Sequence, residues 1–82
     1  MEIHYTYKAV GNLGKLPKEI QKRIVKKMRF YATQSDPLQF AERLIEPREG
    51  GFRFRVGDYR VVFDVVSKKI FVLAIKKRDK AY

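Results

Sequence analysis

Residues 51–82, GFRFRVGDYRVVFDVVSKKIFVLAIKKRDKAY, decide how this chain is read. Phe52, Phe54 and Val56 alternate with Arg53 and Arg55, the period of two that marks a half-buried strand. Tyr59, Val61, Phe63 and Val65 then alternate with Arg60, Val62, Asp64 and Val66. Taking Gly57 and Asp58 as a two-residue hairpin loop sets the register. Val56 faces Tyr59, Arg55 faces Arg60, Phe54 faces Val61 and Arg53 faces Val62. One face then collects Phe52, Phe54, Val56, Tyr59, Val61 and Phe63, a good core. The other collects Arg53, Arg55 and Arg60. Like charges opposite one another destabilise a sheet, so this face points to an anionic ligand. Protection of a sheet edge against aggregation is the alternative for Arg53 and Arg55. A second turn falls at residues 67–69, followed by the apolar run IFVLAI. A turn there permits either parity, so the faces taken by Lys76 and Arg78 stay open.

The chain has 82 residues, with 19 Lys and Arg against nine Asp and Glu, a net charge of +10. Its isoelectric point is near 10.1. The length fits one domain, residues 1–82, with one modest core. An apolar content of 45% excludes a disordered chain. The charge suits a polyanion, either nucleic acid or an acidic protein segment. There are no cysteines and one histidine, His4. That removes thiolate metal sites, a histidine pair for a metal and a histidine-dependent triad, with His4 free to be a surface residue. No cofactor is expected. No signal peptide is visible and the longest apolar run is too short to span a bilayer, so a cytoplasmic protein without membrane contact is expected.

Upstream, residues 3–10 (IHYTYKAV) alternate and read as a first strand, and Gly11, Asn12, Leu13 and Gly14 read as a turn. Residues 17–33 form the main helix. Pro17 opens it, Glu19 lies in its first turn, and Ile20, Ile24, Met28 and Tyr31, widened by Val25, make its apolar stripe. Asp36 and Pro37 start a short second helix marked by Leu38, Ala41, Leu44 and Ile45, which completes an αα-hairpin. Residues 46–51 form a loop into the strands. The fold class expected is α+β, in the order β-α-α-β-β-β.

Three stretches carry a resemblance: LPKEIQKRI at 16–24, FRFRVGDYRVVF at 52–63 and IKKRDKAY at 75–82. With them the chain resembles the RelE/ParE superfamily of toxins from type II toxin–antitoxin pairs along nearly its whole length. The resemblance implies a curved antiparallel sheet packed against an αα-hairpin. In the RelE-like branch, which the tail favours, it implies an endoribonuclease (mRNA interferase) that cleaves mRNA, often on the ribosome, and so inhibits translation. In the ParE-like branch it implies a DNA gyrase inhibitor without nuclease activity. In both it implies a cognate antitoxin, typically acidic, wrapped over the toxin.

Metal-free RNA cleavage uses the substrate 2′-OH as nucleophile. It needs a base for that proton, positive charge on the phosphorane and a proton for the leaving 5′-oxygen. Arginine suits the second task and is a poor base. By resemblance, Arg60 contacts the scissile phosphate, Arg78 stabilises it or protonates the leaving group, and Tyr82 stacks on or orients the nucleotide. Arg55 joins this catalytic set. Arg53, Lys76, Lys77 and Lys80 are expected to bind RNA. Two departures stand out. Gly51 replaces a residue that is often basic, and Lys77 replaces a histidine before the tail arginine. The base is therefore open between Lys76 or Lys77, crowded by neighbouring cations, and Asp64, for which an ion pair with an arginine is the structural alternative. A non-catalytic module that binds nucleic acid or an antitoxin remnant is the third functional reading.

Overall fold

A computed structural model describes residues 1–44 and 50–77. In chain order these form β1 (Glu2–Tyr5), α1 (Tyr7–Gly14), α2 (Lys18–Thr33), a 3-10 turn (Pro37–Phe40), β2 (Glu42–Arg43), β3 (Phe52–Val56), β4 (Tyr59–Val66) and β5 (Lys69–Lys77). The five strands make one sheet in the order β1-β5-β4-β3-β2. Strand β1 runs parallel to β5, and the other pairs are antiparallel. The sheet is therefore mixed, where an antiparallel one was expected.

The hairpin register is the expected one. Val56 pairs with Tyr59, Arg55 with Arg60, Phe54 with Val61 and Arg53 with Val62. Gly57 takes φ +59°, which glycine adopts without the Cβ penalty of other residues. The second turn is a two-residue loop, with Val66 opposite Lys69.

The αα-hairpin exists but is built from other residues than the sequence suggests. Residues 7–14, read as strand and turn, form α1. Thr6, in extended conformation, is its N-cap, and the Thr6 hydroxyl accepts from the Ala9 N–H at 3.2 Å. The alternation of Ile3, Tyr5 and Tyr7 with His4, Thr6 and Lys8 imitated a strand, and this local cap overrode it. Conversely, the expected second helix is a single 3-10 turn after Asp36. Ala41 is already extended, and Glu42 and Arg43 pair with Arg53 and Phe52. Pairing with the open edge of β3 wins over continuing a helix whose C-terminal half is Glu42-Arg43. Ile45 and the loop from 46 to 49 lie outside the described residues.

Both helices cover the apolar sheet face. Ile24, Met28 and Tyr31 of α2 are buried against Phe54, Val56, Val61, Phe63, Ile70, Val72 and Ile75, with Ala9 of α1 closing the layer. Aromatic rings run through it in sequence. Tyr31 stacks on Phe54 at 4.2 Å, Phe54 on Phe63 at 4.3 Å and Phe63 on Phe52 at 5.6 Å. Full burial of Phe54 or Phe63 stabilises by roughly 1.5–3 kcal/mol each.

The opposite sheet face is partly covered too. Val62 and Ala74 point that way yet are buried. Gly50 lies against Val62 and Leu73. A Cβ there would sit 2.9 Å from both Leu73 Cδ1 and Val62 Cγ1 and 3.2 Å from the Phe63 carbonyl oxygen. The Gly51 N–H donates to Asp64 Oδ1 at 2.6 Å, and the Leu44 N–H donates to the Gly51 carbonyl at 2.9 Å. This strap screens the middle of the outer face and leaves one end of it open.

Candidate nucleic-acid interface

The open end of the outer face is a row of three cations on three strands. Arg55 of β3 pairs with Arg60 of β4, which pairs with Lys76 of β5. The next row is Glu42, Arg53, Val62 and Ala74. Neighbouring strands lie about 4.8 Å apart, so three positive charges stand within two strand spacings.

Lys76 reaches this row through a β-bulge. Val62 pairs with Ala74 and Phe63 with Val72, leaving Leu73 unpaired on β5. Below the bulge Ile70 and Val72 face the core, and above it Ile75 does. Uninterrupted alternation would have set Lys76 on the core side. Lys77 pairs with Tyr59, a core-face residue, and is therefore not on the arginine face.

Glu42 is the residue that sequence reasoning missed here. Arg53 donates to Glu42 Oε2 from Nε at 3.1 Å and from a terminal nitrogen at 2.6 Å. Arg55 approaches the other carboxylate oxygen at 3.5 Å. The hydrogen bond from Arg53, with the charges of Arg53, Arg55 and Arg60, holds the Glu42 carboxyl below its ordinary range, against a smaller opposing effect of desolvation. The signal in the sequence was weak, because Glu42 joins the site only when residues 42–43 are a strand.

Arg60 is different. Its Nε is buried and, among the described residues, has no hydrogen-bond acceptor. A buried donor left unpaired costs about 1–3 kcal/mol, and buried unpaired donors are rare enough to indicate a function. Arg60 thus holds a permanent charge in the row with a buried, unpaired Nε, and among the described residues no carboxylate hydrogen-bonds to it.

Asp64 shares the outer face, as the hairpin register requires. Its carboxylate is held by the Gly51 amide, neither a described ion pair with arginine nor a base directed at the cationic row. A Cβ on Gly51 would approach Asp64 Oδ1 to 3.1 Å, so that the carboxylate would have to give by a few tenths of an ångström. Arg78, Lys80 and Tyr82 lie outside the described residues. His4 stacks on Phe71 at 5.2 Å, on the outer face at the opposite edge of the sheet. Among the described residues no group of three His, Cys, Asp or Glu side chains is arranged for a metal, and no helix is long and apolar enough to cross a membrane.

Two concavities lie elsewhere among the described residues. A groove of about 610 Å³ between α2 and β1 is lined by Ile3, Tyr5, Val25 and Arg29 among others. It continues along α2 past Leu13, Lys22 and Lys26. Burial raises the Tyr5 phenol above its ordinary value, opposed by the Arg29 charge. This groove has an apolar floor and a cationic rim, whereas Arg55 and Lys76 of the arginine face are exposed.

Comparison with known proteins agrees with this fold. A family model described as the ParE toxin of the type II toxin–antitoxin system, parDE, matches residues 3–82. The structure is similar to a chain in the toxin–antitoxin complex RelBE2 from Mycobacterium tuberculosis, with TM-score 0.76 and 25% identity over 94% of this chain and 96% of that one. It is similar to one in the archaeal RelE–RelB complex from Pyrococcus horikoshii, with TM-score 0.76 and 27% identity over 98% and 97%. The isolated E. coli RelE toxin shares the fold, at TM-score 0.72 and 17% identity over 98% and 86%. No curated protein sequence gives a significant match. Since the family model matches from residue 3 to residue 82, the protein belongs to the ParE toxin family of type II toxin–antitoxin systems, within the RelE/ParE superfamily.

Proposed function

We propose that the Arg55–Arg60–Lys76 row binds the RNA backbone, and that the protein is a metal-independent endoribonuclease acting in the cytoplasm on mRNA held by the ribosome. The observation that carries this reading is the buried, unpartnered Nε of Arg60 in a cationic row on an open surface. A phosphate would meet Arg60 through the terminal guanidinium nitrogens, since the Nε itself is buried, and a guanidinium is the side chain best matched to a phosphate.

In the proposed reaction the 2′-oxygen attacks the adjacent phosphorus as its proton leaves. The bond to the 5′-oxygen breaks, giving a 2′,3′-cyclic phosphate and a 5′-hydroxyl once that oxygen is protonated. Arg60 and Arg55 counter the charge that builds on the phosphorane. Of the three bases considered from sequence, Lys76 shares the face of Arg60, Lys77 does not, and Asp64 is committed to Gly51. Lys76 therefore stays in the row as a phosphate-binding cation, and no base is assigned among the described residues. Arg78 and Tyr82 keep the leaving-group and nucleotide-orienting roles that the resemblance implies. Ribosomal positioning of the mRNA would contribute several kcal/mol without further groups on this chain.

The partner proposed is a co-encoded acidic antitoxin, since the RelBE2 and archaeal relatives were solved as toxin–antitoxin complexes and this chain carries +10. The groove beside α2, with its Lys22, Lys26 and Arg29 rim, fits an acidic amphipathic segment of that partner.

The test is to induce the chain from a tight promoter and map transcript 5′ ends, with Arg60→Ala alongside. New ends inside translated codons, absent from the mutant, support the nuclease. The description of the matched family favours one other reading, a gyrase inhibitor. Growth arrest with intact transcripts and inhibited supercoiling by purified gyrase would select it.

A further inference from the structure

The bulge at Leu73 does not stand on its own. Strand β1 covers the outer edge of β5 only from Lys69 to Val72. Past that point the chain turns into α1, and β5 would present bare backbone groups on that edge. The β1–α1 segment satisfies them one by one. The Thr6 N–H donates to the Val72 carbonyl at 3.0 Å. The Thr6 hydroxyl donates to the Leu73 carbonyl at 3.3 Å. The Asn12 side-chain oxygen accepts from the Ile75 N–H at 3.0 Å. Three backbone groups bracketing the bulge are thus held by two residues 63 or more positions away in sequence.

The alternative register shows what this contact decides. Carrying the Phe63–Val72 pairing straight on would bring Ile75 opposite Arg60 and Lys76 opposite Tyr59. An apolar residue would enter the cationic row and a lysine would enter the core side. With Leu73 bulged out, Lys76 stands opposite Arg60 and Ile75 is buried. Asn12 contributes the acceptor that the shifted Ile75 amide needs.

We infer that Asn12 is a positioning residue for the cationic face: by capping the Ile75 amide it holds the Leu73 bulge and so keeps Lys76, and not Ile75, beside Arg60. Thr6 is its lesser partner, since its hydroxyl also caps α1. The consequence for activity rests on the nuclease reading, but the register itself does not.

The chain has no cysteine, so the register is open to disulfide trapping. Two double variants are needed, Arg60→Cys with Lys76→Cys and Arg60→Cys with Ile75→Cys. Directly opposed cysteines on one face close readily, and those on opposite faces do not. The expected result is efficient closure of the 60–76 pair and little of the 60–75 pair. Adding Asn12→Leu, which keeps bulk and removes the acceptor, shifts the ratio toward 60–75 by about tenfold, the effect of one lost hydrogen bond to a buried amide. Asn12→Asp keeps an acceptor and restores 60–76. Unchanged 60–76 trapping in the Asn12→Leu background overturns the inference. Should that background fail to fold, hydrogen exchange in the unmodified chain still decides. An Ile75 amide protected well beyond that of Lys77 agrees with the cap, and equal rates overturn it. Growth arrest lost in Asn12→Leu and kept in Asn12→Asp extends the inference to function. Trapping as expected with transcripts left whole in every variant sinks the nuclease reading and leaves the register role standing.

Discussion

Arg60 and Lys76 face one another across β4 and β5 because Leu73, between them and the second turn, is pushed out of the ladder. Together with Arg55 they form a row of like charges that a sheet selected for stability alone would avoid. The row and the unpaired Nε of Arg60 both cost folding free energy, which is what the proposed anion-binding role of this face would require.

Replacing Arg60 should therefore stabilise the protein while disabling it. Arg60→Met keeps the aliphatic stem and removes both the repulsion and the orphaned donor. A gain of about 1 kcal/mol is expected, or roughly 4–8 °C in Tm for a domain of this size. Thermal unfolding followed by circular dichroism measures it. A Tm at or below that of the parent would mean that Arg60 has a structural partner after all.

Glu42 divides the arginines into two classes. Arg53 is held by it through two nitrogens and Arg55 by one longer contact, while Arg60 makes no such contact with it. In Glu42→Gln the anion that occupies Arg53 and Arg55 is gone. RNA binding at low salt should tighten, and the log–log salt dependence should steepen by roughly 0.7 for each phosphate newly contacted. Anisotropy titrations of a labelled single strand at several salt concentrations read both. An unchanged slope would show that Arg53 and Arg55 stay off the backbone.

The same carboxylate sets a pH dependence. Its folded-state value lies below the ordinary one, so its pairing contributes stability above the ordinary carboxylate range and loses it as pH falls through the depressed value. A carboxyl-carbon NMR titration should place the Glu42 midpoint below the ordinary glutamate range, and Arg53→Gln should raise it. A Glu42 midpoint that ignores Arg53→Gln would contradict the pairing.

The second turn leaves stability unused. Ser67 and Lys68 both take positive φ, +51° and +61°, the pattern of a type I′ turn. Neither residue suits that region. Ser67→Asn with Lys68→Gly should stabilise by about 1 kcal/mol, read as a higher urea midpoint with an unchanged m-value. No gain would mean that the turn relaxes elsewhere in solution.

Gly50 behaves in the opposite way. Its missing side chain is what lets the strap lie on Val62 and Leu73. Gly50→Ala should cost about 1–3 kcal/mol through overpacking, and Gly51→Lys should loosen the strap by displacing Asp64. Chemical unfolding measures both. A neutral Gly50→Ala would show that the strap stands further from the sheet.

Much of the fold was legible because its signals are local. The β3–β4 hairpin follows from strict alternation and a Gly-Asp turn, and every pair in it has the expected partner. The stripe of Ile24, Met28 and Tyr31 on α2 follows from helical spacing. Residues 7–14 were misread because Ile3, Tyr5 and Tyr7 alternate with His4, Thr6 and Lys8, and the Thr6 cap is visible only once the chain is known to turn there. Residues 37–43 were misread because what makes 42–43 a strand is the open edge of β3, which no window of local sequence contains.

By itself, then, the sequence determined the arginine face. Period-two alternation and one glycine turn place Arg53, Arg55 and Arg60 together in any fold that buries Phe52, Phe54 and Phe63. Only the tertiary structure decided the rest of that face. Glu42 arrives through pairing with β3, and Asp64 is taken by the Gly51 amide. Lys76 joins because Asn12, 63 residues before Ile75, accepts a hydrogen bond that no neighbour in sequence supplies. A bulge changes which side every later residue faces, and what holds a bulge is whichever donor or acceptor the folded chain brings to it.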